Sequence, residues 1–190
     1  MERRWCILTD ALPTTLKIGG QDVPIDTRTS TALNCIRKMR EDIPEEAKLI
    51  YLTSRLGLPR TAEAVAKAIE YLAGPPADEE KATAPGPPAF DYFQDADLIY
   101  AAFQQAYAMA GYCEITTMHW WRFLALLKGL PSDTRFMEVV SIRTMEIDPK
   151  DSAETKARKR RAKRAVALKD TRTEEEKKRD IQNAFNNLGL

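Results

Sequence analysis

The sequence has almost no histidine: His119 is the single one in 190 residues. A catalytic or metal site built from several imidazoles is therefore excluded. Cysteine is scarce and odd in number, with Cys6, Cys35 and Cys113 far apart and no Cys-x-x-Cys pair. Neither a disulfide framework nor a zinc site follows; buried free thiols in a reducing compartment are expected. No signal core follows Met1-Glu2-Arg3-Arg4-Trp5, and no apolar run reaches the ~20 residues needed to span a bilayer. The expectation is a cytosolic, non-secreted protein with no membrane partner. No charge sign dominates: Lys+Arg number 29, Asp+Glu 28, and the formal net charge is +1. This argues against a dedicated nucleic-acid or membrane-surface binder unless the charge is segregated. Gly19-Gly20 has neither a Gly-x-Gly-x-x-Gly pattern nor a following Lys-Ser/Thr, so it is read as a turn and no cofactor is expected.

What is present suits a folded domain with extras. Hydrophobic residues make up 44% and charged residues 30%, enough for a core and outside the disordered class. Residues 5–26 read as β. Trp5 to Leu8 is a short apolar run, and Leu16, Ile18, Val23 and Ile25 alternate around Gly19-Gly20-Gln21-Asp22. Pro24 suits an edge strand, and strands this short must pack on helices. Three short helices are predicted over 29–73. The first carries Leu33, Ile36 and Met39 and stops at Pro44. The second carries Ala47, Ile50 and Leu52 and breaks at Gly57. The third is capped by Thr61 and carries Ala64, Val65, Ala68, Ile69 and Leu72. Gly74-Pro75-Pro76 is a stop signal.

Proline-rich residues 75–90 read as a linker between an N-terminal unit, 1–74, and a helical core, 91–148. In that core, a helix over 95–110 carries Leu98, Ile99, Ala102, Phe103, Ala106 and Met109 and ends at Gly111. Thr116 or Thr117 is the expected cap of the next, Met118 to Leu127. Ser132 or Asp133 is the expected cap of a third, with Phe136, Val139, Val140 and Ile142. The predicted fold is mainly α with a small N-terminal β-hairpin or meander (α+β), its helical-hairpin core built around Trp120 and Trp121. One tryptophan is expected to be buried and the other near a surface groove. Residues 149–190 lose the core signal and read as a charged tail, helical or partly disordered, with a last apolar stripe at Ile181, Phe185 and Leu188.

Candidate chemistry is thin. His119 opens an apolar helix beside two tryptophans, which suits a structural histidine with one or two hydrogen bonds. Cys113 is six residues away, but no orienting group or oxyanion donor can be named for a Cys-His pair. Asp91, Asp95 and Asp97 lack the spacing of a calcium loop and suit the first turn of a helix. No catalytic, cofactor-binding or metal-binding residue is assigned, and the chain is read as a binding protein, not an enzyme. Arg158, Lys159, Arg160, Arg161, Lys163 and Arg164 form a candidate electrostatic patch. An acidic protein partner is favoured over nucleic acid, because the run has no aromatic to stack on bases. Trp120, Trp121, Tyr100, Phe103 and Tyr107 are the candidate protein-binding aromatics, with self-association as a further use.

Several segments together resemble a known family. They are Ile7-Leu8-Thr9-Asp10-Ala11-Leu12-Pro13, Thr27-Arg28, the stretch Asp91 to Tyr107, the stretch Met118-His119-Trp120-Trp121-Arg122-Phe123 through Pro131, and Ile142-Arg143. They resemble the bacteriophage "gene product fifteen" family of tailed phages and prophages, over roughly residues 5 to 147. Ala108 to Tyr112 departs from the family's more Asp-containing pattern, and the charged tail inherits nothing from it. The resemblance implies a protein of the tail-morphogenesis region in the bacterial host cytoplasm: a tail assembly chaperone that keeps the tape-measure protein soluble. It brings no catalytic residues. A structural tail or connector component of the virion, and a nucleic-acid-binding accessory protein acting through the basic tail, are the alternative readings.

Overall fold

The computed structural model describes residues 6–76, 88–108 and 112–170, with Tyr112 and Cys113 described by backbone alone. Trp5, most of the proline-rich linker, Met109 to Gly111 and the Ile181–Phe185–Leu188 stripe lie outside the described residues.

Strands β1 (Thr15–Ile18) and β2 (Gln21–Pro24) pair antiparallel, with Leu16 opposite Val23 and Ile18 opposite Gln21. The turn is Gly19-Gly20 alone, both at positive φ (57° and 79°), as a two-residue primed hairpin turn requires. Ile18 is buried, while Leu16 and Val23 pack on the core from its edge. The apolar run at the N-terminus does not join the sheet. Thr9 and Asp10 donate their N–H groups to the Cys6 carbonyl, closing a turn that leaves Leu8 89% exposed. Local hydrogen bonding captures the run before any strand does, and Cys6 is exposed, contrary to the expected buried thiol.

Helix α1 (Thr29–Met39) turns small residues inward: Thr29, Thr31, Ala32 and Cys35 are buried, and Leu33 and Ile36 flank them. In α2 (Glu45–Leu56) the buried residues are Leu52, Thr53 and Leu56, whereas Ala47 is exposed. Gly57 closes it in the left-handed conformation (φ 80°). Thr61 caps α3 (Ala62–Ala73) by accepting the Ala64 N–H at 3.2 Å. The inner stripe of α3 is Ala64, Ala68 and Tyr71, spaced four and three, so Ile69 is carried outward to 51% exposure.

Helices α4 (Ala96–Tyr107), α5 (Tyr112–Thr117), α6 (Trp120–Lys128), α7 (Arg135–Thr144) and α8 (Ala153–Ala165) complete the described elements. Two expected caps are corrected. Thr116 and Thr117 belong to the last turn of α5, and His119 caps α6 instead. The cap of α7 is Thr134, not Ser132 or Asp133; its hydroxyl accepts the Met137 N–H at 3.3 Å and donates to the Pro131 carbonyl at 2.9 Å. The chain after Gly129 therefore runs one or two residues further before α7 begins than expected.

A single hydrophobic cluster runs from Ile18 to Phe136 and draws on both sides of the proline-rich segment. Trp120 is at its centre, 1% exposed and stacked on Phe123 at 5.5 Å; Phe123 stacks in turn on Phe103 at 5.2 Å. Helix α7 lies along α4, and α8, with no buried residue, lies along α7.

Thr134→Ala is expected to lower unfolding free energy by about 1 kcal/mol, with Asp133→Ala within about 0.5 kcal/mol of the parent. Urea denaturation of both variants checks this; equal effects would put the cap in the wrong place.

Candidate functional site

The segments that distinguish this sequence meet at one junction. Residues 25–28 join the hairpin to α1 and residues 118–119 join α5 to α6, with Arg28 and His119 both extended. Trp120 donates its backbone N–H to the Thr27 carbonyl at 2.7 Å. Thr29 donates its N–H (2.9 Å) and its hydroxyl (3.0 Å) to the Met118 carbonyl, 89 positions away in sequence. Arg28 and His119 form an isolated antiparallel bridge between them.

His119 is fixed on both ring nitrogens. Nδ1 accepts the Trp121 N–H at 3.1 Å, so the ring proton of the neutral imidazole is on Nε2 and donates to the Pro13 carbonyl at 2.9 Å. It caps α6 and ties the Leu12-Pro13 segment down, as expected of a structural histidine. Both nitrogens are engaged within the fold.

The two tryptophans serve α3. The last carbonyls of a helix have no partner within it. The Trp121 indole N–H donates to the Tyr71 carbonyl at 2.9 Å, and the Trp120 indole N–H donates to the Leu72 carbonyl at 3.0 Å. The Trp121 ring stacks on Tyr71 at 5.9 Å, and the Tyr71 hydroxyl reaches the Thr27 carbonyl at 3.4 Å. Burial pushes the Tyr71 phenol above its usual range. Gly74 then turns away at φ 99°, where a Cβ would meet the Leu124 side chain at 2.8 Å.

The candidate aromatics therefore do not form one surface. Phe103 and Trp120 are core residues, which corrects their expected place at an interface. Trp121 is half-buried with its indole engaged, and Tyr107 donates its hydroxyl to the Leu126 carbonyl at 2.8 Å. Tyr100 alone is openly exposed, at 40%.

The three aspartates have separate fates. Asp95 is 3% exposed and forks onto Arg143 at 2.6 and 2.9 Å, while also accepting the Asp91 N–H. Arg143 further donates Nε to the Val166 carbonyl at 2.5 Å, linking α7 to the segment after α8. Asp91 accepts the Phe93 and Gln94 N–H groups and pairs with Arg40. Burial raises its carboxyl, but those N–H groups and the guanidinium outweigh this and hold it below the usual range. Asp97 is exposed in the first turn of α4. No group of three or more potential metal ligands occurs among the described residues. Burial pushes the Cys35 thiol up to about 11, which keeps it in the unreactive form.

Of the basic run, Arg158, Arg160, Arg161 and Arg164 face solvent, while Lys159 and Lys163 turn inward. Tyr71, Asp26 and the Asp95–Arg143 pair were not singled out by the sequence reading for these roles. No hydropathy pattern marks a side chain whose value lies in a partner far away in sequence.

Fold and junction together define a helical protein whose distinctive residues bind its own two halves to each other. The chain belongs to the Bacteriophage Gp15 protein family, whose sequence model matches residues 8–168. This makes it a structural or morphogenesis protein of bacteriophages. No curated protein and no solved structure matches it. Among the described residues, no helix is long and apolar enough to cross a membrane.

The Asp26 carboxylate accepts from Arg28 and from the Thr31 hydroxyl, and chiefly the Arg28 hydrogen bond holds it at about 2. A carboxyl depressed in the folded state stabilises above its unfolded value, and that contribution is lost as pH falls toward the folded value. Urea midpoints of the parent should therefore drop between about pH 4 and pH 2, and the part of that drop due to Asp26 should vanish in Asp26→Asn. For the buried pair, Arg143→Met should cost about 3–5 kcal/mol by stranding Asp95, and adding Asp95→Leu should recover most of it. A double variant no better than the single one would show that the pair is not what Arg143 contributes.

Proposed function

We propose that this chain is a tail assembly chaperone of the host cytoplasm, which binds the tape-measure protein and keeps it soluble while the tail tube assembles. It acts by binding and has no catalytic role. The observation that carries this reading is family membership across most of the chain. The surface is compatible with it. A tape-measure protein is long and helical, and its apolar faces need temporary cover. Ile7, Leu8, Ile69 and Tyr100 are exposed apolar side chains available for such contacts.

Co-expression with the phage's own tape-measure protein, followed by pull-down and a solubility assay, tests the proposal. Retention of the tape measure in the soluble fraction, in complex with this protein, is the expected result. Failure to associate would remove the chaperone reading. Stoichiometric presence in purified particles, read by mass spectrometry, would replace it with a structural tail or connector role.

A further inference from the structure

Helix α8 sorts its cations by side. Lys156, Lys159 and Lys163 share one face, which turns toward the loop following α7. There Lys156 donates to the Pro149 carbonyl at 2.6 Å, and Lys163 donates to the Met145 carbonyl at 2.8 Å. Lys159 donates to the Glu146 carbonyl at 3.2 Å and to Asp151 at 2.6 Å. These bonds fix the rotation of α8 about its own axis. They also hold Arg158, Arg161 and Arg164 on the outer side, with Arg160 at its flank.

All four arginines are exposed, and among the described residues their side chains make no hydrogen bond or ion pair. Other helices place opposite charges three residues apart: Lys38–Glu41, Glu45–Lys48, Lys67–Glu70 and Arg135–Glu138. On α8 the same spacings bring like charges together, which costs helix stability. Among the described residues no carboxylate pairs with the row to repay that cost, which leaves its guanidinium forks open to a partner.

We propose that the Arg158–Arg161–Arg164 face docks an acidic amphipathic helix of a protein partner, its carboxylates accepting from the guanidinium forks. The three arginines rise over about 9 Å of helix. A partner helix with acids at the first, fourth and seventh positions presents carboxylates on the same repeat, in reach of bidentate pairing. A protein is favoured over nucleic acid on two grounds. Outside α8 the chain adds no excess of positive charge that would extend the field along a polyanion, since the total is only +1, and α8 carries no aromatic on which bases could stack. The surface is distinct from the exposed apolar side chains above, and the proposal holds whichever phage protein carries the acidic helix.

The probe is a labelled alanine-rich helical peptide with glutamates at those spacings, beside its glutamine analogue and a DNA duplex of about 20 base pairs, at about 0.15 M salt. The full chain is compared with R158Q/R161Q/R164Q and with R55Q/R60Q/R135Q, which removes the same charge elsewhere; circular dichroism checks that both fold. Binding of the glutamate peptide should fall about tenfold in the α8 variant, stay within about twofold in the other, and weaken as salt rises. The glutamine peptide should bind no variant measurably. Equal losses in the two variants, or none in the α8 variant, would overturn the proposal. So would duplex DNA binding more tightly than the peptide and losing that affinity in the α8 variant, which would make the face a nucleic-acid contact.

Discussion

Trp120 touches three parts of the chain at once. Its backbone N–H closes onto Thr27, its indole N–H onto the end of α3, and its ring onto Phe123 in the middle of the core. Each of these contacts removes a polar group or a large apolar surface from water, and each is a burial that the others make tolerable. The Thr27 and Leu72 carbonyls are held inside because an N–H meets them there, and an unpaired buried carbonyl would be costly. The rest of the arrangement follows from this placement. With Trp120 seated, the neighbouring Trp121 falls over Tyr71, and His119 falls between Pro13 and the first turn of α6.

This explains why the segments that resemble the family are scattered along the sequence yet look so specific. Leu12-Pro13, Thr27-Arg28 and Met118 to Trp121 are pieces of one joint. Arg143, at the end of the last resembling segment, belongs to a second joint with Asp95. Both joints use polar groups with strict geometric demands, which tolerate fewer substitutes than the apolar stripes between them. That is a structural account of their character and assigns them no chemistry.

Much of the architecture was legible in the sequence because it rests on local rules. Alternation around Gly19-Gly20 marked the hairpin, Thr61 the start of α3, and Gly57 and Gly74 the helix ends. The misreadings share a cause. Hydrophobicity points Ile69 inward, but Tyr71 takes the inner position because the long-range partners of α3 set its rotation. Thr116, Thr117, Ser132 and Asp133 are residue types that favour caps; His119 is selected instead by a Pro13 carbonyl that no local pattern reveals, and Thr134 by the turn that brings its hydroxyl to the Pro131 carbonyl. The surface aromatics failed for the same reason. Phe103 and Trp120 are rich in contact area, and the protein uses that area internally. The basic run could be seen as charge, but its division into inward lysines and outward arginines depends on where the loop after α7 places its carbonyls.

The joint between residues 26–29 and 118–120 also has a meaning in time. A ribosome releases the hairpin, α1, α2 and α3 well before it releases α6. Until then the Thr27 and Leu72 carbonyls lack the Trp120 N–H groups that meet them, and the core lacks its central ring. The joint can therefore close only once Met118 to Trp121 has been made, across the long stretch of chain that separates its two sides.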